Sequence, residues 1–248
     1  MEHPILFLCL ILEKLGLPSG WHYYEESEKY GILAQLFAPH MVHSYFVVGI
    51  IIILALMARS KRDFLPGAFQ NVWEFVVESI YNFTKSNLPH DKFDKLMPTV
   101  FPLVTTYALY ILFSNLLGLI PGFMSPTANI NVTMGLTLIT IIYYHYLGLK
   151  YKGLSYFKDF LGPIPWIIPL MLPAEIFSHV GRILSLSFRL FGNLLSKEIL
   201  LGILTMLGGK YFAPLPVMIL GVAVGFIQTF IFVLLSLVYF AGAVEEHH

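Results

Sequence analysis

The run AEIFSHVGRILSLSFRLFGNLLSKEILLGILTML, residues 174–207, sets five charged side chains, Glu175, Arg182, Arg189, Lys197 and Glu198, among leucines, isoleucines and phenylalanines. Wound as an α-helix at about 100° per residue, the run sorts its residues by face. With Arg189 at zero on the wheel, Glu175, Ser178, Arg182, Ser185, Asn193 and Ser196 fall within about 40° of it. Leu184, Leu186, Leu190 and Leu194 lie outside this stripe, and Glu198 falls roughly 180° away. The helix is thus apolar apart from one narrow polar line some six turns long, with a carboxylate on the far side.

At about 1.5 Å per residue this helix is roughly 50 Å long, and the apolar run that follows it, about 214–243, makes another of roughly 45 Å. A perpendicular membrane span needs only about 20 residues. Gly208-Gly209 and Pro214 punctuate the turn between the two. The expected shape is a long, strongly tilted hairpin, contoured to fit a partner. A charge near the centre of a membrane helix costs at least about 2.5 kcal/mol, so the charges need a reason. Arg182 and Lys197 can snorkel to the two interfaces, and the serines can bond to backbone carbonyls. Arg189 sits mid-helix between polar neighbours. Its guanidinium stays ionised at any physiological pH. It cannot carry a proton, but it can attract a carboxylate, hold it ionised and repel a passing cation.

The rest of the chain fits a membrane setting. Only 12% of the 248 residues are charged and 57% are apolar, too few charges for the surface of a soluble domain. Zero net charge leaves no nucleic-acid footprint, and the single Cys9 excludes an internal disulfide or a CxxC site. Glu2 stands where a positive n-region belongs, so no cleaved signal peptide is expected. The apolar residues 5–12 are too few to cross the bilayer and are expected at the interface, with Trp21, Tyr23 and Tyr24 at headgroup level.

A first span, 42–62, ends at Arg59, Lys61 and Arg62. Over 68–84, Val72, Val76, Ile80 and Phe83 recur at helical spacing while Gln70, Glu74, Glu78 and Asn82 fall on the other side, which predicts an amphipathic surface segment, 68–95. Runs at about 98–120 and 129–149 form a helical hairpin, 98–149, joined through Pro121-Gly122 and Ser125-Pro126. Pro163, Pro165, Pro169 and Pro173 introduce the tilted hairpin, 164–243.

Basic residues concentrate in 59–95 and in 150–158, where Lys150, Lys152 and Lys158 stand, and none occurs in 121–128. By the positive-inside rule these stretches and the C-terminus face the cytoplasm, and the N-terminal segment 1–41 faces out; Lys14, Lys29 and Lys210 are exceptions. His40 and His43, an i, i+3 pair, lack the further ligands a metal needs, so no metal and no cofactor is expected. His145, among Tyr143, Tyr144 and Tyr146, reads as interface packing. The fold expected is all-α: one polytopic membrane domain of about five membrane helices plus a surface amphipathic helix.

The run Ser185-Leu186-Ser187-Phe188-Arg189-Leu190-Phe191-Gly192-Asn193, followed by Glu198, resembles the signature of F-type ATP synthase subunit a. So do Ile227-Gln228-Thr229-Phe230-Ile231-Phe232 on the last helix, the closing Glu245-Glu246-His247-His248, and the pair Asn115-Leu116-Leu117-Gly118-Leu119-Ile120-Pro121 and Ala128-Asn129-Ile130-Asn131-Val132-Thr133. The resemblance runs from about residue 39 to the end. It implies a non-catalytic, ion-translocating subunit in an energy-transducing membrane, for a bacterium the inner membrane. The implied partners are a ring of c subunits, b-type peripheral stalk subunits and the rest of the synthase. The implied ion is H+, with Na+ the alternative.

On this resemblance Arg189 faces the ring carboxylates and separates two aqueous half-channels. Asn193 and Gln228 line the same junction, Glu198 belongs to the outer half-channel, and Glu175 and Ser185 border the cytoplasmic opening. The sequence departs from the pattern at Gly221, where some family members carry an ionisable group two turns before the glutamine. The outer path then relies on Glu198 and water, with His145 or Asn131 as candidates to complete it. The rival class is a secondary active transporter, which also uses intramembrane charges; its usual inverted repeat is not found in this sequence. A scaffold without an ion path would have no need of Arg189 and Glu198 in hydrocarbon.

Overall fold

Helices dominate because the chain alternates long apolar runs with short Gly, Pro and Ser-rich breaks, and a backbone facing lipid must satisfy its own hydrogen bonds. The computed structural model describes residues 7–14, 37–60, 67–120, 122–153, 156, 168–208 and 215–245, and every regular element among them is helical. They are α1 (Phe7–Lys14), α2 (Pro39–Ser60), α3 (Ala68–Ser86), α4 (Phe93–Leu117), α5 (Ile130–Lys152), α6 (Ile168–Gly208) and α7 (Leu215–Val244), with short 3-10 turns at His90–Lys92 and Pro126–Ala128. The expectations for Trp21, Tyr23, Tyr24, Lys29, Lys61, Arg62, Pro121, Lys158, Pro163, Pro165, Lys210 and the closing residues 246–248 lie outside the described residues.

Among the described residues, four helices are long and apolar enough to cross a membrane: Pro39–Ala58, His90–Leu117, Ile130–Lys152 and Leu215–Val244. The charged α6, with 41 residues, is the fifth long helix. Its start at Ile168 precedes the predicted one, because Pro169 sits in the first turn, where a missing N–H costs nothing. Asn129 caps α5 by accepting from the Asn131 N–H at 2.9 Å. Gly153 ends that helix at φ 59°, a value that residues with a Cβ rarely adopt.

Contacts between the long helices run in opposite senses along each pair. Between α4 and α7, Lys92 Nζ donates to the Val244 carbonyl at 2.9 Å, Tyr107 meets Phe232 edge-on, and Asn115 Nδ2 donates to the Gly225 carbonyl at 3.2 Å. Between α5 and α6, Thr133 meets Ser187 and His145 meets His179. Between α6 and α7, Arg182 lies on Tyr239 and Asn193 bonds Gln228. Both pairs of successive long helices, α4–α5 and α6–α7, are therefore antiparallel hairpins, and they pack on each other.

The centre of the core is α4. Leu96, Val100, Val104, Tyr107 and Ile111 recur every three or four residues and are buried with Val233, Leu237, Phe240 and Val244 of α7 and Leu186, Leu190 and Leu194 of α6. The amphipathic α3 leans on this core through Tyr81, set edge-on to Phe93 and Phe101, and through Phe83 against Phe230. Its earlier half is covered only in part, where Trp73 and Val77 line a cleft with Ala55 and Ala58 of α2. Val72 and Phe75 stay 64% and 70% exposed, so the earlier half of α3 keeps an apolar surface free of this chain.

Elsewhere Ile52, Ile53 and Leu56 on α2, Ile139 and Ile142 on α5, and Ile219, Leu220 and Ile227 on α7 are exposed. A soluble monomer rarely shows so much contiguous apolar surface, whereas a bilayer makes it favourable. These features make the chain an integral membrane protein.

Small residues let polar groups reach across the core. Gly221 and Gly225 of α7, one turn apart, face α4: a Cβ on Gly225 would stand 3.2 Å from Asn115 Cβ. Asn115 uses this closeness fully, donating to the Gly225 carbonyl while its Oδ1 accepts from Thr127 Oγ1 at 3.1 Å. Replacing Asn115 with Ala removes two buried hydrogen bonds, leaving the Gly225 carbonyl with Thr229 Oγ1 at 2.8 Å and Thr127 Oγ1 with Ser125 Oγ at 3.0 Å. The purified protein should lose about 1–3 kcal/mol of stability, read as a lower thermal midpoint in detergent.

Candidate functional site

The leucines of α6 decide which way its charges point. Leu186, Leu190 and Leu194, at i, i+4 spacing, are almost fully buried against the hairpins. That packing turns Ser178, Ser185, Arg189, Asn193 and Ser196 outward, all exposed on one line. Arg189 Nη2 reaches Ser185 Oγ, one turn back, at 3.5 Å, and among the described residues no carboxylate pairs with it. Next to it Asn193 Nδ2 donates to Gln228 Oε1 at 2.7 Å, and Gln228 is buried on α7. Around this polar spot Phe188, Phe226, Ile227 and Phe230 are exposed. The middle of the α6–α7 hairpin is therefore an outward apolar face interrupted by one permanent cation and one amide pair.

Glu198 turns toward the other side. It accepts the backbone N–H of Ser125 at 3.2 Å, in the turn that joins α4 to α5. The preceding Lys197 is buried, and its Nζ donates to the Asn115 carbonyl at 3.3 Å. Ser125 Oγ donates to the Ser114 carbonyl at 3.0 Å and lies 3.0 Å from Thr127 Oγ1, which in turn bonds Asn115. Two neighbouring, oppositely charged side chains thus end on one hydrogen-bonded turn. Gly221 gives Lys197 its room: a Cβ there would lie 3.0 Å from Lys197 Cδ and 2.7 Å from Leu119 Cδ2. The space that an ionisable side chain on α7 could fill is taken by the lysine stem from α6.

At the earlier end of α6, Glu175 Oε1 is 3.5 Å from Nδ1 of His179, one turn on, and that nitrogen also contacts the Glu175 carbonyl at 2.9 Å. The ring of His179 stacks on that of His145 from α5, centroids 5.1 Å apart and planes 16° apart. His145 Nδ1 is 2.6 Å from the Tyr156 hydroxyl. Arg182 lies over the rings of Tyr144 and Tyr239, 5.9 and 5.6 Å from their centroids.

The structure therefore brings Ser185, Arg189, Asn193 and Gln228 together and leaves Glu175 and Glu198 at separate stations along α6. His145 stands not beside Glu198 but against His179, near Glu175, because α5 runs antiparallel to α6. Asn131 is exposed at the start of α5. The sequence reading missed His179, about 80° from Arg189 on the wheel and so just outside the stripe. It also missed Ser125 and Thr127, whose Ser-Pro-Thr context reads only as a turn. Their partners are some 70 and 12 residues away, and no local pattern announces them.

An all-helical integral membrane protein, whose longest helix shows on an outward face an arginine with no carboxylate partner among the described residues, is the class that fold and site define. The chain belongs to the ATP synthase A chain family, which it matches over residues 41–241. It is 46% identical to ATP synthase subunit a of Desulfotalea psychrophila over 248 residues, covering all of both chains. It is also 46% identical over 249 residues to that of Syntrophobacter fumaroxidans, and 40% identical over 248 residues to that of Desulfosudis oleivorans, again end to end.

The crowding at Gly221 is testable. Gly221→Val should push Lys197 off the Asn115 carbonyl and lower stability by about 1–3 kcal/mol in a thermal melt of the purified protein. Gly202→Ala, at a site with nothing within 4 Å of the added carbon, should be neutral or slightly stabilising.

Proposed function

We propose that this chain is the ion-translocating stator subunit of an F-type ATP synthase. It works against a ring of c subunits and is held by b-type peripheral stalk subunits. The observation that carries this reading is Arg189: an ionised guanidinium, exposed halfway along the narrow polar line of an apolar helix, with no carboxylate partner among the described residues. In a bilayer such a group needs an anion, and the outward face requires that the anion come from a partner. A ring of carboxylates passing that face supplies one at each step.

The cation then has two effects. It draws each arriving carboxylate into its ionised form, releasing the proton, and it bars a proton from crossing without the ring. Asn193 and Gln228, locked together beside it, hold the polar junction open between helices. Glu198 serves the half-channel on the outer side, and Glu175 with Ser185 the one on the cytoplasmic side. The basic stretches 59–95 and 150–158 support an orientation with the N-terminus outside and the C-terminus in the cytoplasm. The 41 residues of α6 span roughly 60 Å, about twice the hydrocarbon core, so α6 and α7 lie strongly tilted and present a long shared face to the ring. The transported ion is H+; flux with and without a sodium gradient separates it from Na+.

Arg189→Ala should abolish coupled ATP synthesis in membrane vesicles while the complex still assembles, and Arg189→Lys should fail too, since a compact ammonium lacks the planar fork. Normal synthesis in Arg189→Ala vesicles would sink the proposal. Glu198→Gln keeps the size and removes the titration; proton translocation should slow on the order of tenfold, with partial recovery in Glu198→His. A parental rate in Glu198→Gln would make Glu198 a structural partner of the Ser125 turn and move the outer path elsewhere.

A further inference from the structure

Glu198 meets the turn between α4 and α5 through one carboxylate oxygen only. We propose that Ser125 is the positioning residue of the outer half-channel: its backbone N–H holds Glu198 Oε1, and Glu198 Oε2 takes up and releases the proton. The proposal rests on the ion-translocating reading and names the group that sets its outer carboxylate.

The Ser125 N–H is available because of the residue that follows it. Proline disfavours a helical conformation in the residue before it, and Ser125 is extended, at φ −71° and ψ 119°. Its carbonyl opens the short 3-10 turn by accepting from the Ala128 N–H at 3.1 Å, whereas its own N–H meets no main-chain acceptor among the described residues. That N–H donates instead to Glu198 Oε1 at 3.2 Å. Ser125 is fully buried, and its hydroxyl pins the backbone by donating to the Ser114 carbonyl at 3.0 Å. Gly118 lets the turn come this close to α4: a Cβ there would stand 2.6 Å from Ser125 Cβ.

The two oxygens of Glu198 therefore differ. An N–H can only donate, so Oε1 keeps a fixed donor in either protonation state. Glu198 is half-buried, and its Oε2 has no partner among the described residues and is not enclosed, so water reaches it. On loading, a bond forms between the proton and Oε2 while an O–H bond of the delivering hydronium breaks. Release reverses this, and no other bond changes. A donor binds an ionised carboxylate more strongly than a protonated carboxyl, so the Ser125 N–H favours release. Among the described residues, the charged or titratable groups on elements packed around the turn are Lys197 on α6, His40 and His43 on α2, and Tyr110 on α4. Lys197 Nζ donates to the Asn115 carbonyl, His43 Nδ1 lies 2.7 Å from the Pro39 carbonyl, and the Tyr110 hydroxyl meets Ser44. The first halves of α5 and α7 carry no ionisable side chain. None of these groups is hydrogen-bonded to Glu198, which leaves the Ser125 N–H as its fixed partner.

The test uses the assembled synthase in vesicles, with the pH of each side varied separately and rates normalised to assembled complex. Ser125→Ala removes the hydroxyl and keeps the N–H. Ser125→Pro removes both, at a φ that proline itself adopts. Without the donor the carboxyl keeps its proton to higher pH. The outer-side pH for half-maximal proton flux should therefore rise by about one unit in Ser125→Pro relative to Ser125→Ala, with the cytoplasmic-side profile parental. A turn with a purely structural role would change only assembly or the overall rate, so coinciding outer profiles in Ser125→Pro and Ser125→Ala overturn the proposal. If Ser125→Pro does not assemble, Gly118→Ala decides. It keeps every polar group and pushes Ser125 off α4; the same one-sided rise is expected, and an unshifted outer profile overturns the proposal. Glu198→Gln in the same preparation separates the failures. Parental flux in Glu198→Gln removes the underlying outer path, whereas a slowed Glu198→Gln beside an unshifted Ser125→Pro removes only the positioning role.

Discussion

Arginine cannot shed its charge, and a bilayer gives it no water. Everything around Arg189 follows from that pair of facts. The side chain must lie on a face where an anion can come to it, so α6 needs an apolar ridge opposite, pressed firmly into the rest of the chain. Leu186, Leu190 and Leu194 are that ridge, and their burial holds Ser185, Arg189 and Asn193 outward. The ridge in turn needs a firm bed, which the buried line on α4 and the aromatic and aliphatic side of α7 supply. Rotating α6 by a quarter turn would bury the guanidinium without a partner and expose three leucines. The packing and the electrostatics therefore select the same orientation.

The two ends of α6 meet the same constraint in different ways. Lys197 and Glu198 are tied to main-chain groups, one to the Asn115 carbonyl in the last turn of α4 and one to the Ser125 N–H in the turn that follows. Main-chain partners do not titrate and cannot rotate away, so the turn keeps an ammonium and a carboxylate at defined places without joining them in a direct ion pair. Glycines make this geometry accessible: Gly221 and Gly225 remove the side chains that would otherwise keep α4 and α6 away from α7. At the other end Glu175 and Arg182 are accompanied by imidazole and phenol rings. One end of the helix is thus set by backbone and the other by side chains.

Much of the fold was legible before any coordinate was considered. Apolar run length marks the long helices, and the wheel around Arg189 marks the outward line, because both are properties of consecutive residues under a fixed helical period. The boundaries moved by only a few residues, most where Pro169 begins α6 earlier than the proline cluster suggests. The amphipathic α3 was legible as a helix but not in its coverage. Its spacing places Val72 and Phe83 on one face, yet Phe83 packs on Phe230 while Val72 stays 64% exposed.

Pairings across the bundle were not legible. Whether His145 would stand near Glu198 or near Glu175 depends on the antiparallel approach of α5 to α6, and nothing in the neighbourhood of His145 encodes it. The same holds for Ser125 with Glu198, Thr127 with Asn115 and Lys197 beneath Gly221. By itself the sequence determined the helices, the polar line along α6 and the single mid-helix cation, because hydrophobic periodicity and the permanence of the guanidinium are local properties. The tertiary structure alone decided which charged groups meet which partners, because a hydrogen bond or a ring stack between helices depends on how two packed surfaces are aligned over many turns.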